Sequence, residues 1–308
     1  MSDNKPWSNP THRVRPTSAE RENLWQLLEM ARMEDLGSGD LTGALLNSDV
    51  QAEAKFIPRQ RMVMCGADLL EATAAKYDGS IRTEVAAHDG ETVEPGATIA
   101  VWTGSATGIL AAERVALNFI QRLSGIATVT QEYVKAVAGT QAGIYDTRKT
   151  TPGWRQLEKY AVRCGGGLNH RIGLWDAVLI KDNHLAIMAQ AEGVDPIGAM
   201  ARELDRVRPY LGERAFVELE VDTLEQFARA LDLKVDIIML DNMSIAQMKQ
   251  AVAMRQAAGL EGRIELEASG NVTLQNVREV ASTGVERISI GALTHSARSV
   301  DIGLDIHI

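Results

Sequence analysis

The chain has 308 residues, enough for two domains or for one barrel with a smaller partner domain. Its 45% hydrophobic and 24% charged content are those of an ordinary soluble globular protein, and a net charge of −9 argues against general nucleic-acid binding, which draws on a basic face. The two cysteines, Cys65 and Cys164, lack metal-like spacing and fit a reducing, cytoplasmic setting, and no apolar run approaches the roughly 20 residues of a membrane helix.

Residues 1–16 are polar and Pro-containing and read as a loose arm rather than a signal peptide. Thr17 to Leu36 reads as an amphipathic helix, with Thr17 and Glu20 as a capping box and Leu24, Leu27, Leu28 and Ala31 at helical spacing. Gly37-Ser38-Gly39-Asp40 breaks the chain. Short β-like runs follow at Ala52–Ile57, Met62–Cys65, Ile81–Ala86 and Thr98–Trp102, with a helix over Ala67–Lys76 and turns at Asp89-Gly90 and Pro95-Gly96. Residues 17–125 therefore form a small α+β domain. A long helical stretch, Thr107 to Val137, carries an expected interruption at Ser124-Gly125.

Beyond it, apolar strands alternate with helices: Gly143–Tyr145, Ala177–Ile180, Phe216–Glu220, Ile237–Leu240, Ile264–Glu267 and Arg287–Ile290. That alternation implies parallel strands with crossover helices, hence an α/β class for residues 126–292. A full barrel of this kind has eight strands, so six imply an incomplete barrel, with a doubly wound open sheet as the rival.

Unusual polar residues follow the C-terminal ends of these strands: Asp146-Thr147-Arg148-Lys149, Lys181-Asp182, Glu220, Asp241-Asn242, Ser269-Gly270 and Gly291. Parallel α/β folds build their sites at that edge. Residues 146–184 hold seven Lys and Arg against four acids, a basic island in an acidic chain and so a candidate anion site. Glu220 and Asp241 end successive strands, where they can hold a divalent ion or accept bonds from sugar hydroxyls, or else answer the basic cluster in a structural ion-pair network. The small-residue turns Ser269-Gly270-Asn271 and Ile290-Gly291-Ala292 suit close approach of a phosphate. Gly165-Gly166-Gly167 lacks dinucleotide-fingerprint spacing, and Arg114, on the long helix, gains no role from sequence alone.

The runs Asp146-Thr147-Arg148-Lys149-Thr150-Thr151-Pro152-Gly153, Leu157 to Gly167, Asn169-His170-Arg171 and Ile180-Lys181-Asp182-Asn183-His184 resemble the quinolinate phosphoribosyltransferases, also called carboxylating nicotinate-nucleotide pyrophosphorylases. Leu117-Asn118-Phe119, Leu123 to Thr128, Glu218-Leu219-Glu220-Val221, Leu240-Asp241-Asn242, Glu267-Ala268-Ser269-Gly270 and Gly291-Ala292-Leu293-Thr294-His295 match as well, and the resemblance covers nearly everything from Asp35 onward. It implies an α/β open-sandwich domain, to which residues 293–308 return, and an incomplete α/β barrel of six or seven parallel strands. It implies a homodimer, a Mg2+ requirement, and transfer of phosphoribosyl from phosphoribosyl pyrophosphate to quinolinate with loss of CO2, giving nicotinate mononucleotide in de novo NAD biosynthesis. By the same resemblance Arg148, His170, Arg171 and Lys181 receive the two quinolinate carboxylates, with Thr147 in the motif and Arg114 reaching in from the partner subunit. Lys149 takes pyrophosphate, Glu220 and Asp241 take ribose or metal, and Ser269, Gly270, Gly291 and His295 complete the phosphate side, with Lys149, Lys181, Glu220 and Asp241 as the catalytic set. Two rivals remain: a paralogous anion-binding or molybdenum-transport-associated protein of the same fold, and a Schiff-base aldolase using Lys181.

Overall fold

The computed structural model describes residues 14–47, 49–192, 196–212 and 215–308. In chain order its elements are α1 (Ser18–Leu36), β1 (Gln51–Pro58), β2 (Met62–Val63), α2 (Ala67–Tyr77), β3 (Arg82–Val85), β4 (Thr92–Val93), β5 (Ala100–Ser105), α3 (Ala106–Ala136), β6 (Gly143–Tyr145), α4 (Arg155–Cys164), β7 (Val178–Ile180), α5 (Asp182–Glu192), α6 (Pro196–Val207), β8 (Val217–Val221), α7 (Leu224–Ala230), β9 (Ile237–Asp241), α8 (Ile245–Ala257), β10 (Glu265–Ser269), α9 (Val277–Ala281), β11 (Arg287–Ser289), α10 (Ala292–His295) and β12 (Ile302–His307). Among the described residues no helix is long and apolar enough to cross a membrane. The chain divides into two compact units.

The first unit comprises the chain up to Glu132, Lys149–Gly167 and Gly291–Ile308. Its antiparallel sheet has the order β12-β1-β5-β3, so the C-terminal strand pairs with the first strand, Phe56 opposite Leu304. The inward residues of β1 alternate with exposed ones, and Phe56 meets the fully buried Trp102 edge-on at 4.7 Å. The Thr17–Glu20 capping box is formed, and Leu24, Leu27 and Leu28 are buried. Of the expected N-terminal arm, residues 1–13 lie outside the described residues; Val14 lies within the first unit, its carbonyl accepting a hydrogen bond from Tyr160 Oη at 3.4 Å. β4 went unforeseen because two residues carry no periodic signal.

The expected break at Ser124-Gly125 is corrected: α3 runs unbroken through both. The two small residues serve packing instead. Ser124 Oγ accepts the amide of buried Cys65 at 3.0 Å, and a Cβ at Gly125 would meet the carbonyl oxygen of Arg298 at 2.1 Å. Glycine is present so that the returning C-terminal segment can cross the helix, not so that the helix can end. Gly125→Ala is accordingly expected to lower stability by about 1–3 kcal/mol through overpacking, read as a fall in Tm; an unchanged Tm would mean that the crossing segment has slack.

The second unit comprises Tyr133–Arg148 and Leu168–Ile290. Its six strands are all parallel, in the order β6-β11-β10-β9-β8-β7. A doubly wound sheet places early strands centrally and reverses direction at a switch point. Here each successive strand from β7 to β11 adds on the same side, and the last pairs with the first, Ser289 opposite Tyr145. This is the cyclic order of a barrel opened at the seam between β6 and β7, as the six-strand count implied. The central strands are buried on both faces, with all five residues of β8 buried. Inside this unit Arg255, 1% exposed, donates to Ile264 O at 2.9 Å and to Glu286 at 2.8 Å. Arg255→Met is expected to leave Glu286 without its buried counter-ion and to cost about 3 kcal/mol, checked by denaturant unfolding.

Candidate active site

The polar strand ends named from the sequence lie along one edge of the parallel sheet. Thr147 and Arg148 follow β6, Lys181 follows β7, Glu220 lies next to last in β8, and Asp241 and Ser269 end β9 and β10. Register brings them together: Asp241 stands opposite Ser269, and Glu220 opposite Met239, two residues before Asp241.

The loop after β6 is fixed by Asp146, which is fully buried. Its carboxylate accepts the His170 amide at 2.9 Å and Asn169 Nδ2 at 2.6 Å, so the first acid of the basic island ties two loops together. Arg171 is 8% exposed and donates from Nη1 to Ala177 O at 3.0 Å. Burial, and then the like charge of Arg148 beside it, lower the pKa of its guanidinium. Glu218 and Asp176 partly offset that shift, and the two neighbouring guanidinium groups, Arg171 buried and Arg148 half-buried, suit a dianion.

The His170 side chain is turned toward two acids. Nδ1 accepts the Arg171 amide at 2.7 Å, while Nε2 lies 2.8 Å from Glu218 Oε2 and 3.5 Å from Glu267 Oε1. Because Nδ1 accepts, the ring proton sits on Nε2, which faces the two carboxylates in close approach rather than in hydrogen-bond geometry.

Lys181 forms an ion pair through Nζ with Glu220 Oε2, and its side chain is 44% exposed. A Schiff-base lysine works as a desolvated, uncharged amine, and a carboxylate partner opposes that state. Burial raises the pKa of Glu220; Lys181 opposes the rise, and Asp241 and Asp182 add to it. Asp222 shifts upward through burial and the same two aspartates. Asp182, Glu220, Asp222 and Asp241 thus gather around one lysine. Sequence reading passed over Asp222, yet Glu218-Leu219-Glu220-Val221-Asp222 places an acid at every second position, the spacing that puts strand side chains on one face.

At the ends of β9 and β10, Asn242, Gly270 and Asn271 all have positive φ. A Cβ at Gly270 would meet Asn242 Oδ1 at 2.1 Å, and Asn242 N donates to Ser269 O at 2.9 Å. The turn therefore requires glycine on both conformational and steric grounds.

Lys149, Gly291 and His295 belong to the first unit and form a group there. Lys149 O accepts the Thr294 hydroxyl at 2.7 Å, and a Cβ on Gly291 would lie 2.9 Å from Lys149 Cδ and 3.1 Å from the His295 ring. Arg114 is also in this unit, on α3, with its side chain 62% exposed and Glu113 at 3.9 Å. Leu110, one turn earlier, is 41% exposed.

An open parallel barrel whose carboxyl edge carries cations after its two outer strands, β6 and β7, and acids on the adjacent β8 and β9 suits a transferase of anionic, sugar-bearing substrates. Residues 40–124 match the model of the quinolinate phosphoribosyl transferase N-terminal domain, and residues 126–305 match that of the C-terminal domain. The chain belongs to the quinolinate phosphoribosyl transferase family. It is 38% identical over 283 residues to a probable nicotinate-nucleotide pyrophosphorylase [carboxylating] of Bacillus subtilis, covering 92% of this chain and 93% of that protein. It is likewise 38% identical to a mitochondrial quinolinate phosphoribosyltransferase [decarboxylating] of Nicotiana tabacum, over 95% of this chain and 85% of that one. Among solved structures, the nicotinate-nucleotide pyrophosphorylase of Francisella tularensis superposes with a TM-score of 0.84 at 36% identity, covering 96% of this chain and 100% of the other.

Proposed function

We propose that this chain transfers phosphoribosyl from phosphoribosyl pyrophosphate to quinolinate and decarboxylates the product, a step of de novo NAD biosynthesis. The observation that carries the reading is Arg171, buried beside Arg148 with a lowered pKa, where two carboxylates on adjacent ring carbons answer two guanidinium forks. Lys181 adds a third cation and links this half to Glu220. The pyridine nitrogen attacks the anomeric carbon as the bond to pyrophosphate breaks. Glu220 and Asp241 place negative charge where the ribose carbon becomes cationic. The ribosylated nitrogen is itself positive, so loss of CO2 from the neighbouring carbon leaves an electron pair that it stabilises; that carbon then takes a proton. Positioning and charge neutralisation of two anions account for the chemistry without a protein nucleophile.

Ser269 and Gly270 suit the 5′-phosphate, and Lys149, Gly291 and His295 suit phosphate or pyrophosphate oxygens, because small residues beside a lysine leave room for a bulky anion. The carboxylate donors Glu220 and Asp241, with Asp182 and Asp222 near them, fit Mg2+, which keeps waters and substrate oxygens in its shell. Bound there, the ion would neutralise the pyrophosphate leaving group. A homodimer is proposed because Arg114 and Leu110 expose a cation and an apolar side chain together on α3, suited to delivering Arg114 to a partner's quinolinate. The cytoplasm is the proposed location, since both cysteines are free thiols.

The deciding assay follows 14CO2 release from carboxyl-labelled quinolinate, dependent on phosphoribosyl pyrophosphate and Mg2+. Turnover with nicotinate as fast as with quinolinate, or no labelled CO2, would sink the assignment.

A further inference from the structure

Below the carboxyl edge, the second unit buries one cluster of four charged or titratable side chains that the proposed chemistry does not use directly. Glu218 and Glu267 are fully inaccessible, His170 is 6% exposed and Arg287 8%. Arg287 donates from Nε to Glu267 Oε2 at 2.6 Å and from Nη1 to Glu265 Oε2 at 3.3 Å, and its guanidinium lies 3.8 Å from the centroid of the Tyr145 ring. Glu267 thus has a cation on one oxygen and His170 Nε2 at 3.5 Å from the other. Glu218 approaches the same nitrogen at 2.8 Å. The Phe216 ring packs edge-on against the imidazole, centroids 5.5 Å apart. Buried charges are costly, and in some proteins such a group specifies one arrangement over others.

The arrangement specified is that of His170 and its neighbour. Three contacts pin this residue: its amide on Asp146, its Nδ1 under the Arg171 amide, and its Nε2 between two carboxylates. The Nδ1–H tautomer would present N–H to N–H at Arg171 and a lone pair to two acids, and a ring turned over would present C–H groups to both. With the ring fixed, the Arg171 backbone is fixed, and with it the origin of a guanidinium anchored on Ala177. We infer that Glu218 and Glu267 are positioning residues for the quinolinate half of the reaction, acting through the tautomer and orientation of His170 on Arg171. Glu218 and Glu220 share one strand face but have different partners: Glu218 faces His170 inside the unit, and Glu220 meets Lys181 at the edge. The inference rests on the proposed reaction, and it divides the substrates.

The test combines kinetics with histidine NMR on the full-length protein. In Glu218→Leu the quinolinate KM is expected to rise by about 10- to 100-fold, the effect of removing the polar group that faces His170 Nε2 inside the unit, while the KM for phosphoribosyl pyrophosphate stays within about threefold. Glu218→Gln retains an acceptor oxygen and is expected to recover most of the loss, and Glu267→Gln to resemble it. In two-bond 1H–15N spectra of unliganded protein, His170 should be a single Nε2–H tautomer in the wild type and lose that purity in Glu218→Leu. Parallel rises in both KM values, or a wild-type tautomer persisting in Glu218→Leu, overturns the inference. The spectra need no turnover, so an inactive wild type would defeat the proposed reaction while the His170 network is still tested.

Discussion

Arg148→Lys is expected to raise the KM for quinolinate by about 30- to 100-fold, the worth of a charge-assisted, two-pronged contact of roughly 2–3 kcal/mol, with a smaller effect on kcat. The substitution keeps the charge and removes the fork. Were the basic cluster a general electrostatic funnel, an ammonium in place of a guanidinium would change little. The geometry argues otherwise, because Arg171 already lies buried beside Arg148 with a lowered pKa, a repulsion that planar, paired recognition of two carboxylates offsets. Calorimetry supplies an independent measure. Wild-type protein should bind quinolinate far more tightly than nicotinate, and Arg148→Lys should narrow that gap because it affects the second carboxylate most. Near-normal kinetics with an undiminished preference would remove the argument for a carboxylate pair.

The residues behind this expectation were legible in the sequence to different degrees. Strands were readable where apolar residues run together: Ile237–Leu240, buried on both faces, and Gly143–Tyr145, with only Ile144 fully buried, stand where expected. The barrel order was only half legible, since periodicity gives strands and not their pairing; the closure of β11 onto β6 decides against a doubly wound sheet. The break at Ser124-Gly125 was misread because a glycine needed for close crossing and a glycine ending a helix look alike in one dimension. At the site, Arg148, Lys181, Glu220 and Asp241 were visible because charge at the end of an apolar strand is conspicuous. Glu218, Glu267 and Arg287 were not singled out. Their roles depend on which face of the strand is enclosed, and they compensate one another inside it. His170 shows the same limit: the sequence supplies an imidazole next to an arginine, but only the fold turns its Nε2 toward two carboxylates.

Glu220→Gln is expected to lower kcat/KM for phosphoribosyl pyrophosphate by about 10²- to 10³-fold, the usual cost of removing one preorganised charge from a developing transition state. Quinolinate binding should suffer little, since the change frees Lys181 from its ion pair. The pH dependence makes the prediction sharper. Burial raises the Glu220 pKa, Asp241 and Asp182 raise it further, and Lys181 alone among its named neighbours opposes the rise. The carboxylate form is the one proposed to act, so activity falls as pH drops through that raised pKa, and the acid limb lies above the ordinary carboxylate range. Glu220→Gln should flatten this limb, having no proton to take up. Lys181→Met should move it upward, because the lowering partner is lost while both aspartates remain. Phosphoribosyl pyrophosphate binding measured by calorimetry across pH, without quinolinate, reads the limb even where turnover is abolished. A limb that persists in Glu220→Gln, or shifts downward in Lys181→Met, would assign it to another acid and deny Glu220 its role beside the ribose carbon.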